Sequence, residues 1–359
     1  MASYIIRRLL LMIPTLMGVT AVVFFVMAWS PGGVGGAHLT VTGEMDAASR
    51  QALREYYQKR YGLDAPLLVQ YGRWINKISP VGFVTGERGR VIFALPRLKM
   101  PDLGESFSKR RPVMDLYAEA LPITLLLNAI TTPLIYGISI FCGVYMARHR
   151  GRAFDVVGGV TFLGLWSIPT IWAGVMLIGL LASKQYLYWF PTGGLNSTLA
   201  DQMPFLPRIH EDGFARGWLL DRLWHLALPI VCLTYTGFAF LAKLTRGAML
   251  ENLSAEFVRT ARAKGLGEHP ILWRHAFRNS LLPLITVAAA VLPALLVGSV
   301  IVETIFSIPG MGKLTIDAIH ARDRELILAG TLLGGILGLT CILIADLGYA
   351  IVDPRVSYE

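Results

Sequence analysis

Long apolar runs constrain the fold of this chain more than any other feature of its sequence. Six runs approach or exceed the length that crosses a hydrocarbon layer, about 20 residues of helix. Lipid offers no hydrogen bonds, so each run has to pair its own backbone groups in a helix. Only 16% of the residues are charged, compared with roughly 25% in soluble proteins. The sequence therefore predicts an all-α polytopic membrane protein with six transmembrane helices: Leu9–Trp29, Ala120–Ala147, Val156–Ser183, Leu226–Ala242, Leu281–Val302 and Leu326–Ala345.

The distribution of lysine and arginine predicts that both termini lie in the cytoplasm. With the N-terminus inside, the cytoplasmic segments hold 13 basic residues and the two short outside loops hold seven. Such residues are enriched in short cytoplasmic loops, whereas segments longer than about 60 residues are not counted. Topology thus explains most of the basic charge on the inside of a chain whose net charge is +9. No basic stripe interleaved with aromatic residues indicates a nucleic-acid partner.

The segment 30–118 is too long for a simple loop, and we expect a small external domain there, between the first two spans. Residues 46–60 have the pattern of an amphipathic helix. A second helix is predicted from Asp64, with Pro66 in its first turn. Val91–Ala94 has the composition of a strand. The predicted organisation is the N-terminus with the first span (1–29), the external domain (30–118), spans two to six (119–350) and a cytoplasmic tail (351–359).

Side chains with catalytic or metal-binding chemistry are scattered along the sequence and form no recognised set. Cys142, Cys232 and Cys341 fall in three different predicted spans, and this spacing favours apolar packing over a disulfide or zinc site. His269 and His275 are six residues apart, so they do not share a helix face. We therefore expect no catalytic residue, metal ligand or cofactor in this chain.

The predicted cytoplasmic segment 250–280 is much longer than a turn between two spans needs. Its first part predicts a short helix ending at Gly265, a residue suited to the left-handed conformation at a helix C-terminus. Pro270 suits the opening of a second helix that leads into the fifth span. Small residues keep the first helix slim enough to enter a groove, and basic residues suit it to an acidic partner. The candidate contact residues are Glu256, Arg259, Thr260, Ala261, Arg262, Ala263, Lys264, Gly265, Leu266 and Gly267.

This segment resembles the coupling loop of ABC importer permeases, in the form found in the dipeptide, oligopeptide and nickel branch. There the loop commonly reads close to YVRTARAKGL and then RHALRNALLP, and this chain has FVRTARAKGL at 257–266 and RHAFRNSLLP at 274–283. Arg259-Thr260-Ala261 stands where the general importer motif has Glu-Ala-Ala, a departure typical of the branch. Further segments are similar to other signatures of the branch: Tyr4–Leu10, Tyr61–Leu67, Asp102–Ser106, Glu303–Gly312 and Asp353–Arg355.

Within the branch, the nearer match is the first-position subunit of the DppB and OppB type, and Trp224–Pro229 resembles YejB-type members. The resemblance implies a type I ABC importer permease fold in the bacterial inner membrane, with Glu256–Gly267 seated in a groove on a cytoplasmic ATPase. The implied partners are a second permease in a heterodimer, one or two ATPase subunits that bind ATP and Mg, a periplasmic substrate-binding protein and membrane lipid. The chain itself lacks a phosphate-binding loop, because Gly310–Leu314 has leucine where that motif requires a hydroxyl.

The resemblance also implies import of dipeptides, oligopeptides or modified peptides, with an oligosaccharide or nickel as alternatives. A secondary transporter is a less favoured alternative, since it would be expected to show internal repeats and ionisable coupling sites in mid-membrane. A membrane enzyme would need a polar cluster at one membrane face. The sequence shows none of these features.

Four residues are candidates for the translocation pathway: Asn128, Trp166, Glu303 and Asp346. Polar groups inside a membrane are costly and therefore often functional. Each candidate also has a structural alternative. Asn128 could make an interhelical hydrogen bond, and Trp166 could pack against helices or lipid. Glu303 and Asp346 are close enough to helix ends to act as caps or to reach the interface.

Overall fold

The computed structural model describes residues 2–29, 65–85, 91–210, 213–296 and 299–352. Most of them are helical. In chain order the helices are α1 (Ala2–Trp29), α2 (Leu67–Ile78), α3 (Val113–Arg148), α4 (Ala153–Ser167), α5 (Thr170–Leu177), α6 (Trp218–Ser254), α7 (Glu256–Ala263), α8 (Arg278–Leu296), α9 (Val300–Ile305), α10 (Met311–Ala321) and α11 (Arg324–Val352). A π-helical stretch, Ile178–Ala182, extends α5, and another, Ile271–Phe277, leads from the turn Glu268–Pro270 into α8.

The expectation of an all-α fold is wrong in one respect, because two antiparallel hairpins lie between helices. Strand β1 (Val81–Thr85) pairs with β2 (Val91–Leu98), and β3 (Arg208–His210) pairs with β4 (Gly213–Ala215). The strand predicted at Val91–Ala94 is therefore confirmed, and it is longer than predicted. Both hairpins belong to segments between apolar runs, so neither lies within a predicted span.

Four of the described helices are long and apolar enough to cross a membrane: α1 over Tyr4–Trp29, α3, α6, and α11 over Arg324–Ile344. They coincide with the first, second, fourth and sixth predicted runs. The fifth run, Leu281–Val302, is divided between α8 and α9, with residues 297–298 outside the described part of the chain. Six spans therefore stay a prediction, whereas a multi-pass helical architecture is established.

The third predicted run, Val156–Ser183, is not one straight helix. It is broken between α4 and α5, whose axes differ by 92°. Ile168 is extended (φ −80°, ψ 121°) because the residue before a proline is forced away from the helical region, here by Pro169. The Tyr235 hydroxyl on α6 donates to the carbonyl of Ile168 at 2.8 Å, which satisfies a backbone group that the break would otherwise leave unpaired.

The chain divides into two compact units, and the first comprises Met1–Leu121 and Leu314–Leu339. In this unit Phe24 of α1, Trp74 of α2 and Leu328 of α11 form a buried cluster. The predicted helix near Pro66 is confirmed as α2, with Pro66 itself at the cap position. Asp64 and the helix predicted at 46–60 lie outside the described residues.

A buried carboxylate fixes the segment before α3 to the start of α11 in the first unit. Asp323 accepts hydrogen bonds from the Ser106 hydroxyl at 2.7 Å and from the Ser108 amide at 2.8 Å. The adjacent Arg324 donates to Oε1 of Glu325 at 2.7 Å. Buried charges are tolerated only when they are paired and hydrogen-bonded, so these contacts hold both segments in one arrangement.

The second unit comprises Pro122–Lys313 and Thr340–Tyr358. Its larger core cluster joins α3, α6 and α9, and includes Leu127, Cys232 and Val302. A second cluster lies where α3 and α6 approach the π-helical stretch before α8, and it consists of Val144, Ala147, Met249, Leu272 and Ala276. These two clusters place α6 at the centre of the unit.

Close contact between α3 and α6 depends on Gly143. A Cβ added there would lie 2.5 Å from Cβ of Thr245 and 2.8 Å from the carbonyl oxygen of Ala242. Small residues let transmembrane helices approach until their backbones touch. Gly143 is therefore a point of close approach between α3 and α6, and a larger side chain there has to push them apart.

Replacing Gly143 with valine is expected to destabilise the protein by about 1–3 kcal/mol, the usual cost of overpacking a close contact. The measurement is the thermal unfolding midpoint of the detergent-purified protein. Gly137→Val is the matched control, because Gly137 lies on the same helix and an added Cβ there meets nothing within 4 Å. An equal decrease in both variants would show that the contact with α6 is not the cause.

Candidate functional site

The predicted cytoplasmic segment is almost entirely helical and bends sharply where α6 meets α7. Ala255 is extended (φ −70°, ψ 152°), so α6 ends at Ser254 and α7 starts at Glu256 in a new direction. The short helix predicted over this part of the sequence is confirmed. The Thr260 hydroxyl bonds back to the carbonyl of Glu256 at 3.0 Å, within the helix.

Helix α7 ends in a Schellman motif built around Gly265. Gly265 has φ +77°, and its amide donates to the carbonyl of Arg262 at 2.9 Å. The Leu266 amide donates to the carbonyl of Ala261 at 3.2 Å, which completes the pair of bonds that defines this motif. The sequence prediction that Gly265 terminates the helix is therefore confirmed. An L-residue at this φ would be strained, although an added Cβ would meet no atom within 4 Å.

One side of α7 is packed against its own chain. Val258 and Ala261 are buried together with Ile271 of the π-helical stretch. Ala261 therefore seats α7 on its own chain, whereas the sequence interpretation assigned its small size to an external groove. Thr260 and Ala263 are exposed, as a slim outer face requires.

The other side of α7 and the following turn present an exposed, mainly basic surface. Arg259 pairs with Glu256 at 2.8 Å and Arg262 pairs with Glu268 at 3.2 Å, all four at the surface. Exposed ion pairs of this kind contribute only roughly 0–1 kcal/mol to the stability of the fold. Each guanidinium can therefore exchange its partner for a carboxylate of another protein at little cost. The exposed set is Glu256, Phe257, Arg259, Thr260, Arg262, Ala263, Lys264, Gly265, Leu266 and Gly267.

Two side chains that the sequence analysis did not select tie α6 to α8 beneath this surface. Asn252 donates from Nδ2 to the hydroxyl oxygen of Ser280 at 3.0 Å. Next to this bond, Met249 packs against Leu272 and Ala276. Helix α7 therefore lies between two helices that are bonded directly to each other. No sequence signal indicates the pairing of Asn252 with Ser280, which are 28 residues apart.

Glu303, a candidate pathway residue, has a carboxylate enclosed by its own chain. The residue is 1% exposed. Its carboxylate accepts hydrogen bonds from the Thr124 hydroxyl at 3.1 Å and from the Lys313 amide at 3.0 Å. A Cβ added to Gly310 would lie 2.5 Å from Oε2 of Glu303, so the loop before α10 closes tightly around the charge. This arrangement gives Glu303 a structural role, as an anchor for that loop.

The other three pathway candidates lie on separate helices. Asn128, on α3, donates from Nδ2 to the carbonyl of Thr124 at 2.9 Å, within its own helix, so Thr124 links it to Glu303. Trp166, on α4, is exposed and lies beside Phe240 with ring centroids 6.3 Å apart. Asp346, on α11, is half-buried. Their role in a pathway stays a prediction.

Family membership follows from the comparison of the whole chain with known proteins. Residues 139–358 match the family of binding-protein-dependent transport system inner membrane components, and residues 1–128 match the N-terminal region of such components. The chain belongs to this family. The resemblance seen in the sequence is therefore confirmed, and the protein is a multi-pass component of the inner membrane.

Several characterised relatives align with this permease along its full length. It is 39% identical over 361 residues to the oligopeptide transport system permease protein AppB of Bacillus subtilis, with complete coverage of both chains. It is 34% identical over 365 residues to the di/tripeptide transport system permease protein DppB of Pseudomonas aeruginosa, again with complete coverage. It is 31% identical to the peptidoglycan transport system permease protein YejB of Agrobacterium fabrum, covering 100% of this chain and 99% of the relative.

Replacing Glu303 with alanine is expected to destabilise the permease by about 3 kcal/mol, because buried donors of Lys313 and Thr124 lose their acceptor. Thermal unfolding in detergent measures the effect. The matched control is Glu119→Ala, since Glu119 is an exposed carboxylate, and its removal should change stability by less than about 0.5 kcal/mol. Equal stability of the two variants would contradict the anchoring role.

Proposed function

We propose that the protein is the membrane-spanning subunit of an ABC importer that moves peptides from the periplasm to the cytoplasm. The observation that carries the proposal is α7, a rigidly seated short helix with an exposed basic face, in a chain of the binding-protein-dependent transport family. The substrate class rests on full-length relatives that are named for transport of oligopeptides and di/tripeptides.

In this proposal α7 is the contact with a cytoplasmic ATPase. Arg259, Arg262 and Lys264 lie on the outer face and suit an acidic groove, while Phe257 and Leu266 add exposed apolar area. The inner face is fixed by Val258 and Ala261. A docking element has to be rigid in order to transmit a displacement, and the buried side of α7 supplies that rigidity.

The proposed complex contains a second permease, one or two ATPase subunits that bind ATP and Mg, and a periplasmic substrate-binding protein. Six spans, cytoplasmic termini and an external domain at 30–118 belong to the same proposal, which the charge distribution supports. The chemistry of ATP hydrolysis takes place in the partner subunits. This chain contributes the docking helix, the spans and the path for the peptide.

The mechanism follows from how α7 is attached. ATP binds the closed form of the ATPase pair more tightly than the open form, and only such differential binding can shift a conformational equilibrium. Closure would carry α7 as a rigid body and, through Asn252 and Ser280, the inner ends of α6 and α8 with it. Tilting of these helices would then switch the cavity between outward and inward access, the alternating motion expected of a transporter.

Reversing one charge on α7 tests the docking contact. Arg259→Glu is expected to lower both ATPase co-purification and uptake per ATP by about tenfold, a common cost for a truncated charge contact at an interface. The double variant Glu256→Arg/Arg259→Glu restores the ion pair within the chain but keeps residue 259 acidic. Docking predicts that this swap stays uncoupled, whereas recovery would show that Arg259 only stabilises its own helix.

Substrate class is tested with the complete complex in proteoliposomes together with its external binding protein. We expect ATP-dependent accumulation of a labelled tripeptide, and competition by unlabelled peptides but not by nickel or an oligosaccharide. A peptidoglycan-derived peptide is included because one relative is named for peptidoglycan transport. Uptake of nickel or oligosaccharide without uptake of any peptide would overturn the proposed substrate class.

A further inference from the structure

The start of helix α4 has no buried apolar side chain. All of its residues are described, and Asp155 is the one that is buried, whereas Val156, Val157 and Val160 are exposed. By contrast α5, which follows the break, packs into the core. A Cβ added to Gly174 would lie 3.2 Å from Cδ1 of Ile305. The start of α4 is therefore held by a carboxylate and not by a hydrophobic face.

Asp155 is held by Arg246 of α6 in a two-pronged ion pair. Nε of Arg246 donates to Oδ1, and Nη2 donates to Oδ2 at 2.7 Å. The amide of Gly151 donates to the same Oδ2 at 2.9 Å. The side chains are 4% exposed for Asp155 and 32% exposed for Arg246. Paired donors in a fixed fork make arginine–carboxylate contacts both strong and directional.

The pair joins α6 to the start of α4, and further along the same two helices Phe162 and Trp166 pack against Phe238 and Phe240. A cavity of about 300 Å³ lies beside it, and its lining includes Met146, Gly159 and Lys243 together with the pair. Arg246 is eight residues before the end of α6, a distance of roughly 12 Å along the helix. The contact therefore connects α4 to the part of α6 that leads directly into α7.

We propose that Asp155 and Arg246 are positioning residues of the transport cycle, which join the start of α4 to α6 so that α4 follows the movement of α7. The inference rests on the proposed function, because the movement of α7 belongs to it. Separating the pair leaves the buried carboxylate of Asp155 without its charged partner, which is costly. The pair therefore stays closed while the helices move, and α4 bends at the break before α5.

The experiment uses the complete complex and three variants: Asp155→Asn, Arg246→Gln and the double variant Asp155→Asn/Arg246→Gln. A nitroxide label at Val157→Cys, with Cys142, Cys232 and Cys341 replaced by alanine, reports the mobility of α4. Uptake of peptide per ATP hydrolysed reports coupling, and basal ATP hydrolysis reports the integrity of the ATPase contact.

We expect higher label mobility and a decrease in uptake per ATP of about tenfold in all three variants, a size typical for coupling residues. Basal hydrolysis should stay within about twofold of the original complex, because α7 itself is unchanged. The double variant is decisive since it leaves no single charge stranded. If it regains the original coupling, the pair does not position α4 and the inference is wrong.

The matched control removes another two-pronged ion pair, Arg111 with Glu119, whose side chains are 47% and 62% exposed. Arg111→Gln/Glu119→Gln should leave label mobility and coupling unchanged, because exposed pairs contribute little. Unchanged label mobility in Asp155→Asn would overturn the inference whatever the transport result. If the original complex moves no peptide, the proposed function fails, and the label still tests the pair.

Discussion

Hydrogen-bonding groups in a membrane have to find partners inside the protein, and this constraint organises both units of the permease. It makes the apolar runs helical, because a helix pairs its own backbone. It also decides where charge is tolerated. Asp155 is bound to Arg246, Asp323 to Ser106 and Ser108, and Glu303 to an amide and a hydroxyl. Each of these carboxylates lies near a helix end and fixes a neighbouring segment to it.

In the second unit, helix α6 takes part in several of these stabilising hydrogen bonds and ion pairs. Near its start, Asp221 accepts hydrogen bonds from the amide and hydroxyl of Ser197 at 2.7 and 2.6 Å. In its middle, Tyr235 satisfies the carbonyl freed by the break before α5. Near its end, Arg246 holds α4 and Asn252 holds α8. A displacement of the last turn of α6 therefore acts on several helices, not only on the two that flank α7.

Sequence alone predicted the features that depend on a single residue or on a continuous stretch of the chain. Four spans followed from apolar length, and the end of α7 followed from Gly265, since a Schellman motif needs a residue that adopts positive φ. Pro169 in the sequence indicates a kink in the third run, because the residue before a proline avoids the helical region. The 92° size of the bend could not be predicted, since hydropathy carries no information on direction. The pairing of Asp155 with Arg246 was missed because the two residues are 91 positions apart, and nothing in one sequence shows which distant charges meet.

Because of the break and the ion pair, α4 is attached to its neighbours in a different way from α5. Helix α5 packs through Gly174 against Ile305 and Cys232, so its neighbours resist displacement. Helix α4 has an open apolar surface and one buried ionic contact at its start. In the proposed cycle, a rigid α7 would move the end of α6, the ion pair would carry the start of α4, and the 92° bend would absorb the motion. The core around α5 could then stay packed while one end of the unit opens, which separates the part that moves from the part that keeps the fold.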